Sequence, residues 1–272
     1  MPDIVIHVIA SAAYVGLAWH FWRTRWRRHA EARGLQAWER AALLAPLGLH
    51  GWLLYHGIFS APELRFGFAQ ALSVMMWLGV ALYWIESLFY SLAGMEPLVL
   101  PLAALAAPLP ALFPGLASSG LHSQQTEFRL HLALAMVAYS LFFIALLHAT
   151  LMALLERRLH QHETGFAASL PPLLTLEHLL FRVICAAFVF LTLTLATGIA
   201  FSEVLFGRAM RFEHKTVFAV LSWGTFGLLL GGRRLYGWRG RTALRWTLSG
   251  FILLVLAYVG SRFVLEVLLQ RA

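Results

Sequence analysis

The chain reads as long apolar runs broken by short polar stretches rich in arginine. Runs long enough to cross ~30 Å of hydrocarbon fall near residues 3–22, 41–60, 67–92, 97–116, 128–155, 174–200, 216–232 and 246–267. This pattern predicts an all-α fold, a polytopic integral membrane helix bundle of about eight transmembrane helices. The fourth run is the weakest. Pro101, Pro108, Pro110 and Pro114 each remove a backbone donor, so this span is expected to kink or to be partly re-entrant. No internal repeat or long linker divides the chain, and residues 1–272 are expected to form a single transmembrane domain.

Composition agrees with that class. The protein is 60% hydrophobic and 12% charged, against about 25% charged residues in an ordinary soluble domain. Its net charge of +8 is carried by arginine, because Lys215 is the only lysine. The distribution of this charge gives a topology. "RTRWRRHAEARGLQAWER" holds six arginines, "ERRLHQHETG" two and "GRRLYGWRGRTALR" five. The opposite side of the predicted bundle carries Arg65, Arg129, Arg208, Arg211, Lys215 and Arg271. The excess of basic residues on the cytoplasmic side of membrane proteins places the three rich segments inside, with both termini outside. The expected location is the cell inner (plasma) membrane, as a multi-pass protein. The basic loops then serve topology and contact with anionic lipid, and no nucleic-acid partner is expected. The first apolar run precedes its arginines, the reverse of a secretory signal, so it is expected to remain as an anchor. Cys185 lies inside a predicted span and reads as a buried, inert thiol. No C-x-x-C-H, nucleotide-binding or H-E-x-x-H motif occurs, and no nucleophile–base constellation suggests an enzyme.

Histidine is the remaining source of chemistry. His29, His160 and His162 fall in the basic loops, and His20, His148 and His178 near the cytoplasmic ends of spans. His7, His56, His122, His131 and His214 belong to the outer half, with His50 near the middle of the second span. His131 and His214 stand out as a pair. Each lies where a span enters from the outer side, so the two share a depth. The helix N-terminal dipole and the adjacent Arg129 and Lys215 favour neutral imidazole, the form that ligates iron. Behind His131, Ala135, Ala138 and Phe142 share its helical face. Such a face suits a flat macrocycle or close helix packing equally. Arg129, Arg208, Arg211 and Lys215 gather at the same rim. Their guanidinium and ammonium groups suit haem propionates, or else lipid headgroups or Glu203 and Glu213. Two such imidazoles on one iron would set the fifth and seventh spans side by side around an outward-opening cleft, with non-covalent haem b between them. His50 is a second candidate as a deep ligand, and His122 as an entry or alternate ligand. His50 and His56 do not share a helical face.

"HLALAMVAYSLFFIALLHATLMALLERRL" and "LTLATGIAFSEV…RFEHKTVFAVLSWGTFGLLLGGR" resemble two segments of cytochrome c assembly proteins of the CcsA type. "FGFAQALSVMMWLGVALYWIES" resembles that family's third span. The likeness covers most of the chain and extends to the shorter, eight-span HemX-like and YpjD-like relatives. It implies a haem-ligating role for His131, followed on the same helix by a tyrosine matched by Tyr139. Thr197–Gly198, Lys215 and Trp223 stand where the family has a TG pair, a lysine and a helical tryptophan. The W-x-W-D haem-presenting signature of the CcsA type is replaced by "FGRAMRFEHKT", which contains no tryptophan. The nearer match is therefore the shorter branch.

These readings converge on a non-enzymatic, haem-binding or haem-handling membrane protein acting at the outer face. Two others use the same scaffold. One is a transporter, or transport accessory, for a metal ion or small solute, for which Glu86 and Glu266 are the few acids near span ends. The other is a structural or regulatory partner of a further membrane or external-face protein, such as a haem-biosynthesis complex.

Overall fold

A computed structural model describes residues 2–27, 34–59, 64–115, 126–161, 171–206 and 214–269. Helix α1 covers Pro2–Phe21 and runs on into a wider π-helical turn, Trp22–Arg27. Then follow α2 (Ala37–Phe59), α3 (Phe68–Phe89), α4 (Glu96–Ala106) and α5 (Leu109–Leu112). The second half contains α6 (Thr126–His160), α7 (Leu173–Phe206), α8 (His214–Tyr236) and α9 (Gly240–Val255). The last of these continues in helical turns to Leu268. Seven of these helices are long and apolar enough to cross a membrane.

The prolines decide the eighth crossing. Glu96, at the start of α4, lies against Tyr83 near the far end of α3. Beyond α5, Gln70 Nε2 donates to Phe113 O at 3.1 Å, and the Phe68 and Phe113 rings lie 5.2 Å apart. From Tyr83 back to Phe68 is a climb of about 22 Å along a helix. So α4 and α5 together run antiparallel to nearly the whole of α3, and the fourth apolar run crosses the bundle despite its break. The same contacts fix the parity. His7 of α1 touches Ala107, while Phe263 in the extension of α9 packs its ring on Phe68 at 5.3 Å. The first turns of α1 and the last turns of α9 therefore lie at one end of the bundle.

A broken helix in hydrocarbon must find donors for the carbonyls its prolines release. Pro108 has no N–H for Ala104 O, and Ser11 Oγ of α1 donates to that oxygen at 2.7 Å. Ala111 N turns to Pro108 O, which frees Ala107 O, and His7 Nδ1 donates to it at 2.7 Å. His7 is thus a structural partner of the proline break. Indole donors hold α2 to α3, with Trp77 Nε1 on Leu47 O at 2.8 Å and Trp84 Nε1 on Arg40 O at 3.1 Å. At the other end, a buried ion pair closes the α1–α2 connection. Arg25 Nη2 lies 2.9 Å from Glu39 Oε2, which also accepts Gln36 N at 2.8 Å, while His20 Nε2 donates to Oε1 at 3.1 Å.

The second half forms a ring of four helices. α6 packs along α7 and α9, and α8 packs along the same two, so α6 and α8 stand diagonally rather than side by side as the bis-imidazole reading expected. Across that diagonal Phe142 stacks on Phe226, with centroids 3.7 Å apart and planes within 19°. Gly250 of α9 makes room for this pair, because a Cβ there would lie 2.7 Å from the Phe226 ring. Ser222 Oγ donates to Gly250 O at 2.9 Å, tying α8 to α9 at the same level. α3 packs on α6 and joins the two halves. Cys185, expected to be buried, is exposed on α7. It shares the helix's outward row with Val189 and Leu193, where a small apolar thiol is compatible with acyl chains.

Candidate functional site

His131 sits near the start of α6, half-buried, with its Nδ1 3.0 Å from Thr197 Oγ1 of α7. It stands eleven residues before Phe142, and Lys215 stands eleven before Phe226. Eleven residues make three helical turns to within about 20°. Both residues are therefore on the faces that look across the diagonal, about 16 Å above the aromatic stack. The charge of Lys215 acts on the His131 ring. His214, one residue earlier, is about 18 Å above the stack, so it shares the level of His131. Its face is turned about 100° away from that of Lys215, and the residue is exposed. The arrangement is one histidine held against a neighbouring helix, a lysine across from it, and a second histidine at the rim.

The small-residue face behind His131 has another use. Ala138 and Phe142 are fully buried, with Phe142 covered by Phe226. Helix packing fills that stretch, so a flat group on this face is confined to the turns above the stack. Tyr139 is also committed to packing: its hydroxyl donates to Leu254 O of α9 at 2.7 Å. Trp223 turns away from the site, stacking on Phe188 with centroids 5.6 Å apart and donating to Thr192 Oγ1 at 2.9 Å. Arg129 is exposed beside His131. Arg208, Arg211 and His122 lie outside the described residues.

His50 belongs to a different part of the bundle. It is fully buried between α1, α2 and α3, with Nε2 2.8 Å from Ser73 Oγ and its ring edge-on to Tyr14. His56, on another face of α2, is exposed against Trp52 and Tyr55. One buried pair escaped the sequence reading. His148 Nδ1 donates to Ile144 O at 2.9 Å, which leaves its Nε2 facing Glu86 Oε2 at 3.5 Å. The available signal was an acid and a histidine, on different spans, each near the basic end.

Comparison with known proteins finds relatives for about half of the chain. The chain is 33% identical over 138 residues to the inner membrane protein YpjD of Escherichia coli, covering 51% of this chain and 52% of that protein. It is 36% identical over 141 residues to an uncharacterised protein of Azospirillum brasilense, covering 52% of each. It is 33% identical over 88 residues to the cytochrome c biogenesis protein CcsA of Prochlorococcus marinus, covering 32% of this chain and 28% of that protein. The chain spans about half the length of the first of these curated relatives and less of CcsA. No solved structure matches. The family profile described as cytochrome c assembly protein matches residues 40–269, which takes in the proline-broken fourth crossing, His131 and the whole four-helix ring, and the chain belongs to that family.

Proposed function

We propose that this protein binds and handles haem at the end of the four-helix ring where α6 and α8 begin. The observation that carries the reading is His131. It is a half-buried imidazole held by one nitrogen against α7, at the level of Lys215 and His214 above an aromatic floor. Family membership supports it. The residues fit the group in kind: His131 would offer a ring nitrogen to iron, and His214 at the exposed rim would supply a second nitrogen ligand. Lys215 and Arg129 suit the propionates, as do Arg208 and Arg211 in the adjoining segment. Haem, when bound, supplies a redox-capable iron. His131, fixed against α7, would hold it on one side, and the exposed His214 would hold it less tightly on the other. One fixed and one exposed ligand suit a haem that is passed on rather than a permanent cofactor, which supports a carrier role. Tyr139 supports the site from below by pinning α6 to α9.

The purified wild-type protein is expected to show a Soret band, before and after dithionite. His131→Ala removes that band, whereas His214→Ala shifts it and speeds haem loss. A wild-type protein that stays colourless after haem addition, or a His131→Ala spectrum identical to wild type, overturns the assignment.

On this reading the site opens at the outer face of the inner membrane. Arg157, Arg158, Arg233, Arg234, Arg239, Arg241 and Arg245 all cluster at the end opposite His131, the end expected in the cytoplasm. A reporter active only outside the cytoplasm, fused after residue 272, should be active, and one fused within 162–170 inactive. The reverse pattern would place the histidines inside.

A further inference from the structure

We infer that Thr197 and Gly198 of α7 are positioning residues that fix the ring of His131 with its proton on Nδ1, leaving Nε2 as the nitrogen that ligates. This rests on the haem reading above and adds to it which atom binds and what holds that atom in place.

Thr197 Oγ1 lies 2.8 Å from Leu193 O and 3.0 Å from Thr194 O. Both are carbonyls, which only accept. The single hydroxyl hydrogen is therefore spent on its own helix, as is common for threonine within a helix. Toward His131 Nδ1, at 3.0 Å, the hydroxyl has only a lone pair to offer, so the hydrogen of that bond must come from the imidazole. The Thr194 carbonyl bears on the same ring and likewise accepts. A neutral imidazole carries one N–H, and with Nδ1 holding it, Nε2 keeps its lone pair. Gly198 sets the approach. A Cβ added there would lie 3.3 Å from His131 Cε1, the carbon between the two nitrogens, so a side chain at 198 presses the ring away from its acceptors. Partners of this kind orient a ligating histidine and make it a stronger donor, and losing them typically costs about 10–100-fold in affinity.

The test uses full-length Thr197→Val, Thr197→Ser and Gly198→Ala proteins. In haem-free protein labelled with 15N-histidine, the His131 signals are identified by their loss in His131→Gln. Wild type and Thr197→Ser should show the Nδ1–H form alone, and Thr197→Val a mixture of tautomers. With haem added, Thr197→Val should weaken binding by about tenfold and raise the iron midpoint potential, because Nε2 becomes a poorer donor. Thr197→Ser should restore both. Gly198→Ala should weaken binding while the thermal midpoint stays near wild type. An unchanged tautomer, affinity and potential in Thr197→Val overturns the inference, since a purely packing role would leave all three alone. If wild type binds no haem, the haem reading fails by itself, and the nitrogen signals still decide whether Thr197 sets the ring.

Discussion

Glu39→Ala is expected to lower stability by about 3–5 kcal/mol, the usual cost of leaving one partner of a buried ion pair without the other. Arg25 and Glu39 are 5% and 3% exposed, deep enough that neither is solvated by bulk water. The Glu39 carboxylate gathers Arg25 Nη2, the His20 ring and Gln36 N. Removing it leaves a buried guanidinium with the Gly34 carbonyl 3.4 Å from Nη2, and Arg25 Nε has no partner among the described residues. The α1–α2 connection, which closes on this carboxylate, should loosen with it. Thermal unfolding in detergent, followed by size-exclusion elution, should show an earlier transition and much less monodisperse protein. The double variant Arg25→Met/Glu39→Leu should recover most of the loss, because it removes both charges and keeps the volume. Wild-type stability in Glu39→Ala would mean that this cluster is solvated and contributes little.

Much of the fold was legible because the bilayer imposes a length on apolar runs. The runs at 3–22 and 67–92 correspond to α1 and α3, and the proline-rich run at 97–116 corresponds to a helix broken at Pro108 that still crosses. Adjacency was not legible. Hydropathy says that spans five and seven exist and start at one level, but which helices touch depends on side-chain shape, and Phe142 on Phe226 is what separates α6 from α8. The same limit explains the small-residue face: Ala138 and Phe142 have the spacing of a macrocycle cradle and of a packing seam, and only the partner Phe226 decides between them. His7 looked like one of several outer histidines, because its partner is a carbonyl freed by a proline 101 residues away. Within the site, the level of His131 and Lys215 follows from position. The role of Thr197 does not, since it rests on where one hydroxyl hydrogen points.

Phe226→Ala should be comparably damaging, by about 3–5 kcal/mol for a large buried aromatic cut to alanine. Phe226 is fully buried, and its ring bridges the diagonal between two helices with little other direct contact. Lipid tails are as apolar as the side chain, so what is lost is packing rather than transfer from water. α7 and α9 can move inward only as far as Gly250 and Phe142 allow, and a cavity remains. That cavity lies on the same diagonal, about 16 Å below the level of His131, so the variant also reports on the site. Haem bound above a collapsed floor should show a broadened Soret band and faster dissociation, while the Thr197 contact, on α7, survives. A compensating change is available in the same place. Gly250→Val points its side chain at the missing ring, since a Cβ at 250 would lie 2.7 Å from Phe226. Phe226→Ala/Gly250→Val should therefore regain part of the lost stability, although Gly250→Val alone destabilises by collision with the intact ring. This opposite sign in the two backgrounds is the signature of direct contact. If Gly250→Val is harmful in both backgrounds, the stacked pair does not hold the diagonal.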